Sequence, residues 1–141
     1  MVLHNYYSIR GGGERLTLTM AQALRATLMF GYRSMESYEA GMFPAEIRDL
    51  HLPEILRRPG MRPVALALRF SMERQFVGTY PNRIFSGIAA PFAAPERGKS
   101  GRNIYYCHTP PRFLFDQRDR YADRLDRLQY RLPVQLFKQG Y

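Results

Sequence analysis

The chain has 141 residues, 45% hydrophobic and 23% charged, the size and balance of one ordinary globular domain or part of a larger one. That excludes a wholly disordered, collagen-like or coiled-coil chain. The charge is lopsided, with 21 Lys+Arg against 12 Asp+Glu and a formal +9, which favours an anionic partner: nucleic acid, an anionic membrane surface or a phosphorylated small molecule. All the basic residues but Lys99 and Lys138 are Arg, a ratio that GC-rich coding explains equally well.

Val2 to Ile9 is apolar and aromatic and reads as a first strand. Gly11-Gly12-Gly13 ends it, and Glu14 follows where a carboxylate suits the positive end of a helix. Leu16, Met20, Leu24 and Leu28 recur at i+4 and predict a helix with one apolar face. Thr27 to Tyr32 is the candidate second strand, with no Gly, Asn or Pro between it and that helix. Ser34 to Pro63 reads as an irregular insert punctuated by prolines, with a short helix around Pro53 to Arg58. A further helix is expected from about Arg62 to Gln75.

Arg83 to Gly87 is a brief strand ending in small residues, and Asn103 to Cys107 a stronger one, joined by a polar loop over Pro95 to Arg102. His108-Thr109-Pro110-Pro111-Arg112 follows. Asp116 to Leu132 reads as a closing helix with Tyr121, Leu125, Leu128 and Leu132 as its apolar stripe; Asp116–Arg120 and Asp123–Arg127 are i,i+4 pairs. Strands alternating with helices predict an α/β fold, Rossmann-like, with a mainly parallel sheet and flanking helices. Ligands of such sheets bind beyond the carboxyl ends of the strands. The glycine turn, Ser86-Gly87 and the His108 to Arg112 stretch all fall at that edge.

Cys107 is alone, so no internal disulfide forms and a reducing, cytoplasmic setting is expected. Met1 to Tyr7 has no basic segment followed by an apolar one, and no apolar run nears the roughly 20 residues of a membrane span; peripheral membrane contact stays open. His4, His51 and His108 lie far apart and the lone Cys offers no zinc spacing, so no metal is expected. His108 is the candidate proton carrier or sugar-hydroxyl partner, since imidazole titrates near neutrality. Arg112 could hold a phosphate in its fork of donors. The free N–H groups behind Gly11, Gly12 and Gly13 could receive a phosphate or sugar hydroxyl, although the turn is neither a Walker loop nor a Gly-x-Gly-x-x-Gly.

Two stretches carry a family resemblance. Tyr7-Ser8-Ile9-Arg10-Gly11-Gly12-Gly13-Glu14-Arg15 resembles the Gly-Gly-Ala-Glu-Arg turn of family 4 (group 1) glycosyltransferases. Ile104 to Asp116, with Tyr106-Cys107-His108-Thr109-Pro110 at its heart, resembles that family's strand and His-Thr-Pro loop. Ile84-Phe85-Ser86-Gly87 matches an intervening strand.

The resemblance implies a GT-B enzyme, with an acceptor-side N-terminal domain and a C-terminal domain for the nucleotide sugar. It implies a retaining, hexosyltransferase-type reaction without a metal or other cofactor. His108 would be the catalytic contact, and Gly11, Gly12, Gly13, Glu14, Ser86, Gly87, Thr109 and Arg112 would bind substrate. The partners implied are a nucleotide sugar and a saccharide or lipid-linked acceptor, at the inner face of the membrane for the latter, with no nucleic acid. The 141 residues would be a partial N-terminal domain without the donor-binding domain, inactive alone. Pro81-Asn82-Arg83 departs from the family pattern, which places an acidic residue there. The competing readings are a basic nucleic-acid-binding module, which lacks any RNP or KH signature, and a noncatalytic interaction domain.

Overall fold

The computed structural model describes residues 1–96 and 100–108. Within them the chain runs β1 (Val2–His4), α1 (Gly12–Ala23), β2 (Leu28–Phe30), β3 (Ile47–Asp49), α2 (Met61–Ser71), α3 (Arg74–Gly78), β4 (Asn82–Ser86) and β5 (Arg102–Tyr106). Short 3-10 turns at Ala40–Met42, Glu54–Arg57 and Ala90–Ala93 punctuate the connections. The five strands form one sheet, every pair parallel, in the order β3-β2-β1-β4-β5. The fold is α/β and Rossmann-like, as the alternating pattern implies. The expected closing helix over Asp116 to Leu132 lies outside the described residues.

Alternation along the strands sorts the core into two layers. Val2, Leu28, Phe30 and Ile84 pack with Leu18 and Ala21 of α1 on one face. Leu3, Met29 and Phe85 pack with Leu66, Phe70 and Val77 of α2 and α3 on the other. β1 and β2 are buried throughout, so their runs are continuously apolar until the last residue of β1, as parallel strands covered on both faces require.

Several boundaries differ from the sequence expectation. β1 stops at His4 and not Ile9; beyond it only Tyr7 pairs, by an isolated bridge to Arg33. α1 ends at Ala23, and the missing turn residue is supplied by Arg25, whose φ of 47° puts it in the left-handed region. Leu24 N donates to Met20 O, and Ala26 N to Ala21 O at 2.8 Å, which closes the helix without a glycine. The presumed insert contains β3, whose Ile47-Arg48-Asp49 carries one apolar residue and so gives no strand pattern. The short helix expected at Pro53 to Arg58 is a 3-10 turn over Glu54–Arg57.

The long helix expected to reach Gln75 breaks after Ser71. Glu73, 6% exposed, occupies the position before α3 and is held by two arginines. Arg48 on β3 donates to Glu73 Oε2 through Nε (3.0 Å) and Nη2 (2.8 Å), and Arg69 Nη1 donates to Oε1 at 3.0 Å. Arg48 also lies over the Phe76 ring, 4.2 Å from its centroid. One carboxylate thus ties the edge strand to both helices.

Arg83 is the largest fully buried side chain among the described residues, 1% exposed. Its partners are neutral: Nε donates to Tyr80 O (2.7 Å), Nη1 to Asn103 Oδ1 (2.9 Å) and Nη2 to Ser100 O. Arg83 thereby lashes the start of β5 to β4. Its loss removes three charge-assisted hydrogen bonds made by a buried guanidinium to acceptors that water can still reach, so Arg83→Leu is expected to cost about 2–3 kcal/mol. Arg48→Ala, at a side chain 42% exposed, is expected to cost no more than about 1 kcal/mol. Urea unfolding of the two variants beside the parent chain checks both values; equal losses would contradict the ranking.

Candidate functional site

Register builds the site. His4 on β1 is the direct partner of Phe30 on β2 and Ser86 on β4, and Ser86 is the partner of Tyr106 on β5. These residues form a row along the carboxyl edge. Strand order reverses about β1, so the crevice between β1 and β4 is the topological switch point at which such sheets take ligands. His4 and Ser86 stand at its two lips.

The two lips are joined to a third element. His4 Nδ1 lies 3.1 Å from Ser86 Oγ, and His108 Nε2 lies 2.8 Å from the same oxygen. Ser86 is fully buried, so one hydroxyl bridges two imidazoles and has one proton to share between them. Tyr106 stacks at a tilt on His108, centroids 4.9 Å apart. The His108 ring lies against Gly13, where a Cβ would sit 3.8 Å from its carbons. The glycine turn after β1 and the histidine after β5 therefore meet across the switch point.

The three glycines play different parts. Gly11 precedes α1, and a Cβ there would collide with the Glu14 carboxylate, which folds back over it. Gly12 is exposed, and a Cβ on it would meet nothing within 4 Å: this is open space at the helix start. Gly87, at φ +88°, takes a conformation that suits glycine, and a Cβ would strike the Asn5 side chain at 2.6 Å. Of the residues implied as substrate-binding, Gly11, Gly12, Gly13, Glu14, Ser86 and Gly87 thus lie at this edge with His108. Thr109 and Arg112 lie outside the described residues.

Asn5, to which sequence reasoning assigned no role, knits the loops beneath the site. Its Oδ1 accepts from Ala89 N (2.8 Å) and Ala90 N (3.2 Å), and its carbonyl accepts from Gly31 N at 2.9 Å. Three loops, after β1, β2 and β4, share this one residue. His4 was also missed, because its separation from His108 in sequence hides a pairing that only the parallel register makes. The available signal was a polar residue closing an otherwise apolar strand. Among the described residues no group of three or more His, Cys, Asp or Glu is arranged to hold a metal ion.

Arginines and aromatics cover the neighbouring part of the edge. Tyr6 and Tyr32 stack face to face, centroids 5.0 Å apart and planes 9° from parallel. Arg62 caps the Tyr6 ring at 4.9 Å and Arg57 the Tyr32 ring at 4.4 Å. Burial raises the Tyr6 phenol above its ordinary range, against the opposing pull of Arg62. Tyr7 is buried more deeply still; its hydroxyl pairs with Thr17 Oγ1 at 2.8 Å, and burial pushes its phenol up as well.

No known protein family, curated protein or solved structure matches the chain.

Burial drives the His4 imidazole down to about 3, with the nearby His108 adding to the effect. The unfolded ring titrates at its ordinary 6.5, so between these values the unfolded chain binds the extra proton and the native one refuses it. Stability is therefore complete above pH 6.5 and falls as pH drops toward about 3, by roughly 3–5 kcal/mol from this residue. Urea unfolding at neutral pH and again near pH 4 measures the loss, which His4→Gln is expected to shrink by more than about half. An equal acid loss in that variant would contradict the assignment.

Proposed function

We propose that the chain is the acceptor-side, N-terminal part of a retaining glycosyltransferase of the GT-B kind, of hexosyltransferase type. It would move a sugar from a nucleotide-sugar donor to a saccharide or lipid-linked acceptor. The observation that carries this reading is the meeting of His108 with Gly13 and Ser86 at the switch point. Three stretches distant in sequence, each resembling part of the family pattern, line one crevice.

The chemistry suits a reaction in which a nucleotide diphosphate departs from a sugar. Gly12 leaves room at the start of α1, whose N-terminal end favours negative charge. His108 keeps one ring nitrogen on Ser86, which leaves Nδ1 for a sugar hydroxyl or phosphate oxygen. Preorganised donors around developing negative charge supply the largest share of stabilisation in such transfers. In this reading Glu14, folded over Gly11, accepts from sugar hydroxyls. Thr109 and Arg112 complete the substrate contacts carried over from the resemblance.

The reading needs no metal or redox cofactor, and it places the donor chiefly on a second domain. No helix among the described residues is long and apolar enough to cross a membrane, so a lipid-linked acceptor would be met from the surface, on the cytoplasmic side.

The test pairs this chain with the donor-binding half of a glycosyltransferase and follows radiolabelled sugar onto acceptor. Transfer is expected, and His108→Ala should lower kcat by about 100-fold or more. The chain alone should bind nucleotide sugar weakly while retaining affinity for acceptor. Transfer unchanged by His108→Ala would remove that residue's role. Salt-steep, sub-micromolar binding of RNA would favour the nucleic-acid alternative.

A further inference from the structure

The loops after β1 and β2 enclose a second polar feature beside the histidine pair. It is a hollow of about 300 Å³ lined by Arg10, Arg33, Ser34, Ser37, Tyr38 and Glu39, among others. Its walls are laced together. Ser34 N donates to Tyr7 O (2.9 Å) and Ser34 Oγ to Ser8 O (3.0 Å). Arg10 Nε donates to Ser37 O (3.3 Å) and Tyr38 OH to Gly11 O (2.8 Å). The backbone of two loops sets this lining in place.

Inside that frame the hydrogen bonding is incomplete. Ser37 is 2% exposed, and its hydroxyl is the one buried side-chain polar atom among the described residues with no hydrogen-bond partner. Leaving a buried hydroxyl without a partner costs about 1–3 kcal/mol. Beside it stand two cations that pair with no carboxylate among the described residues. Arg33 lies over the Phe43 ring, its Cζ 5.0 Å from the centroid, and is an exposed residue. Arg10 spends only Nε on the Ser37 carbonyl.

We propose that this hollow is an oxyanion subsite for the phosphoryl group of a phosphorylated saccharide. Arg10 and Arg33 supply charge-assisted donors, which are the strong ones for phosphate, and a rotation of the Ser37 side chain, whose Oγ is shut off from solvent behind this lining, gives it the acceptor it lacks. Glu39 narrows the ligand class. A carboxylate on the wall opposes polyanions such as nucleic acid, but it accepts hydrogen bonds from the hydroxyls of a sugar. The Tyr38 bond to Gly11 puts the hollow next to the glycine turn. A saccharide anchored by its phosphate thus extends toward Gly12 and His108. The inference rests on the acceptor-side reading above and names the acceptor's chemistry.

The phosphoryl group can belong to a soluble sugar or to a lipid headgroup, and the test separates the two. The ¹⁵N-labelled chain is titrated with glucose 6-phosphate, inorganic phosphate and glucose at constant ionic strength, then with phosphatidylglycerol and phosphatidylcholine vesicles. Amides of Arg10, Gly11 and Ser34 to Ala40 are expected to respond to the phosphates and not to glucose. Arg33→Gln should weaken the response about tenfold and Ser37→Ala about threefold, with Ser37→Thr close to the parent.

Response to glucose 6-phosphate identifies a soluble acceptor; response at the same amides to phosphatidylglycerol vesicles alone identifies a lipid-borne one. Either supports the subsite. No response at these amides to any phosphate, or one unchanged in Arg33→Gln, overturns it. The binding measurement involves no sugar transfer, so a subsite that binds while transfer fails would sink the glycosyltransferase reading alone. Transfer without binding at these amides would sink the subsite alone.

Discussion

Parallel pairing of β1 with a neighbour on each side is the constraint from which the rest of this structure follows. A strand covered on both faces must be apolar on both, and Val2 and Leu3 meet that demand by facing opposite layers. Parallel pairing also brings every strand to its end along the same edge. His4 is where β1 stops being apolar, and a ring so buried must find its partner within the protein. Ser86 is that partner because register puts it there. The Ser86 hydroxyl then reaches His108, and His108 rests on the start of α1. The crevice is thus an outcome of how polar atoms at the ends of buried strands are satisfied.

The +9 charge of the chain is equally structured. Arg83 is sunk among neutral oxygens, and Arg48 and Arg69 share Glu73. Arg57 and Arg62 clasp a tyrosine pair. These five hold the fold together by three different means. Arg10 and Arg33, at the hollow, have no carboxylate partner among the described residues and face the region that the acceptor would occupy. A single net charge conceals this division of labour: long-range attraction of anions is shared by all the cations, while in the proposed phosphate subsite selectivity would rest on the two without a carboxylate partner.

Much of the order of elements was legible in the sequence, and the reasons for the failures are physical. β1, α1, β2, β4 and β5 announced themselves because their apolar runs or i+4 stripes are long enough to exceed chance, and glycines mark two of their ends. β3 did not, since an edge strand of three residues needs no apolar alternation and Arg48 at its centre reads as loop. The break between α2 and α3 lacks proline or glycine; it falls at Glu73, whose two arginine partners come from β3 and α2. At the site, Gly12, Gly13, Ser86 and His108 were visible as strand-end or helix-start residues. His4, Asn5 and Ser37 were not, because their meaning depends on what stands across from them in space.

Glu73 also decides what can happen at the outer margin of the sheet. Among the described residues no strand lies on the outer side of β3, and an open margin of this kind invites a strand from another molecule. Arg48, at the middle of β3, is anchored by its guanidinium to a buried carboxylate and laid across Phe76. An incoming strand would have to pack beside this charge. The clasp that ties the edge strand to the helices therefore also sets a charged side chain at the flank of the sheet, a device that works against edge-to-edge pairing.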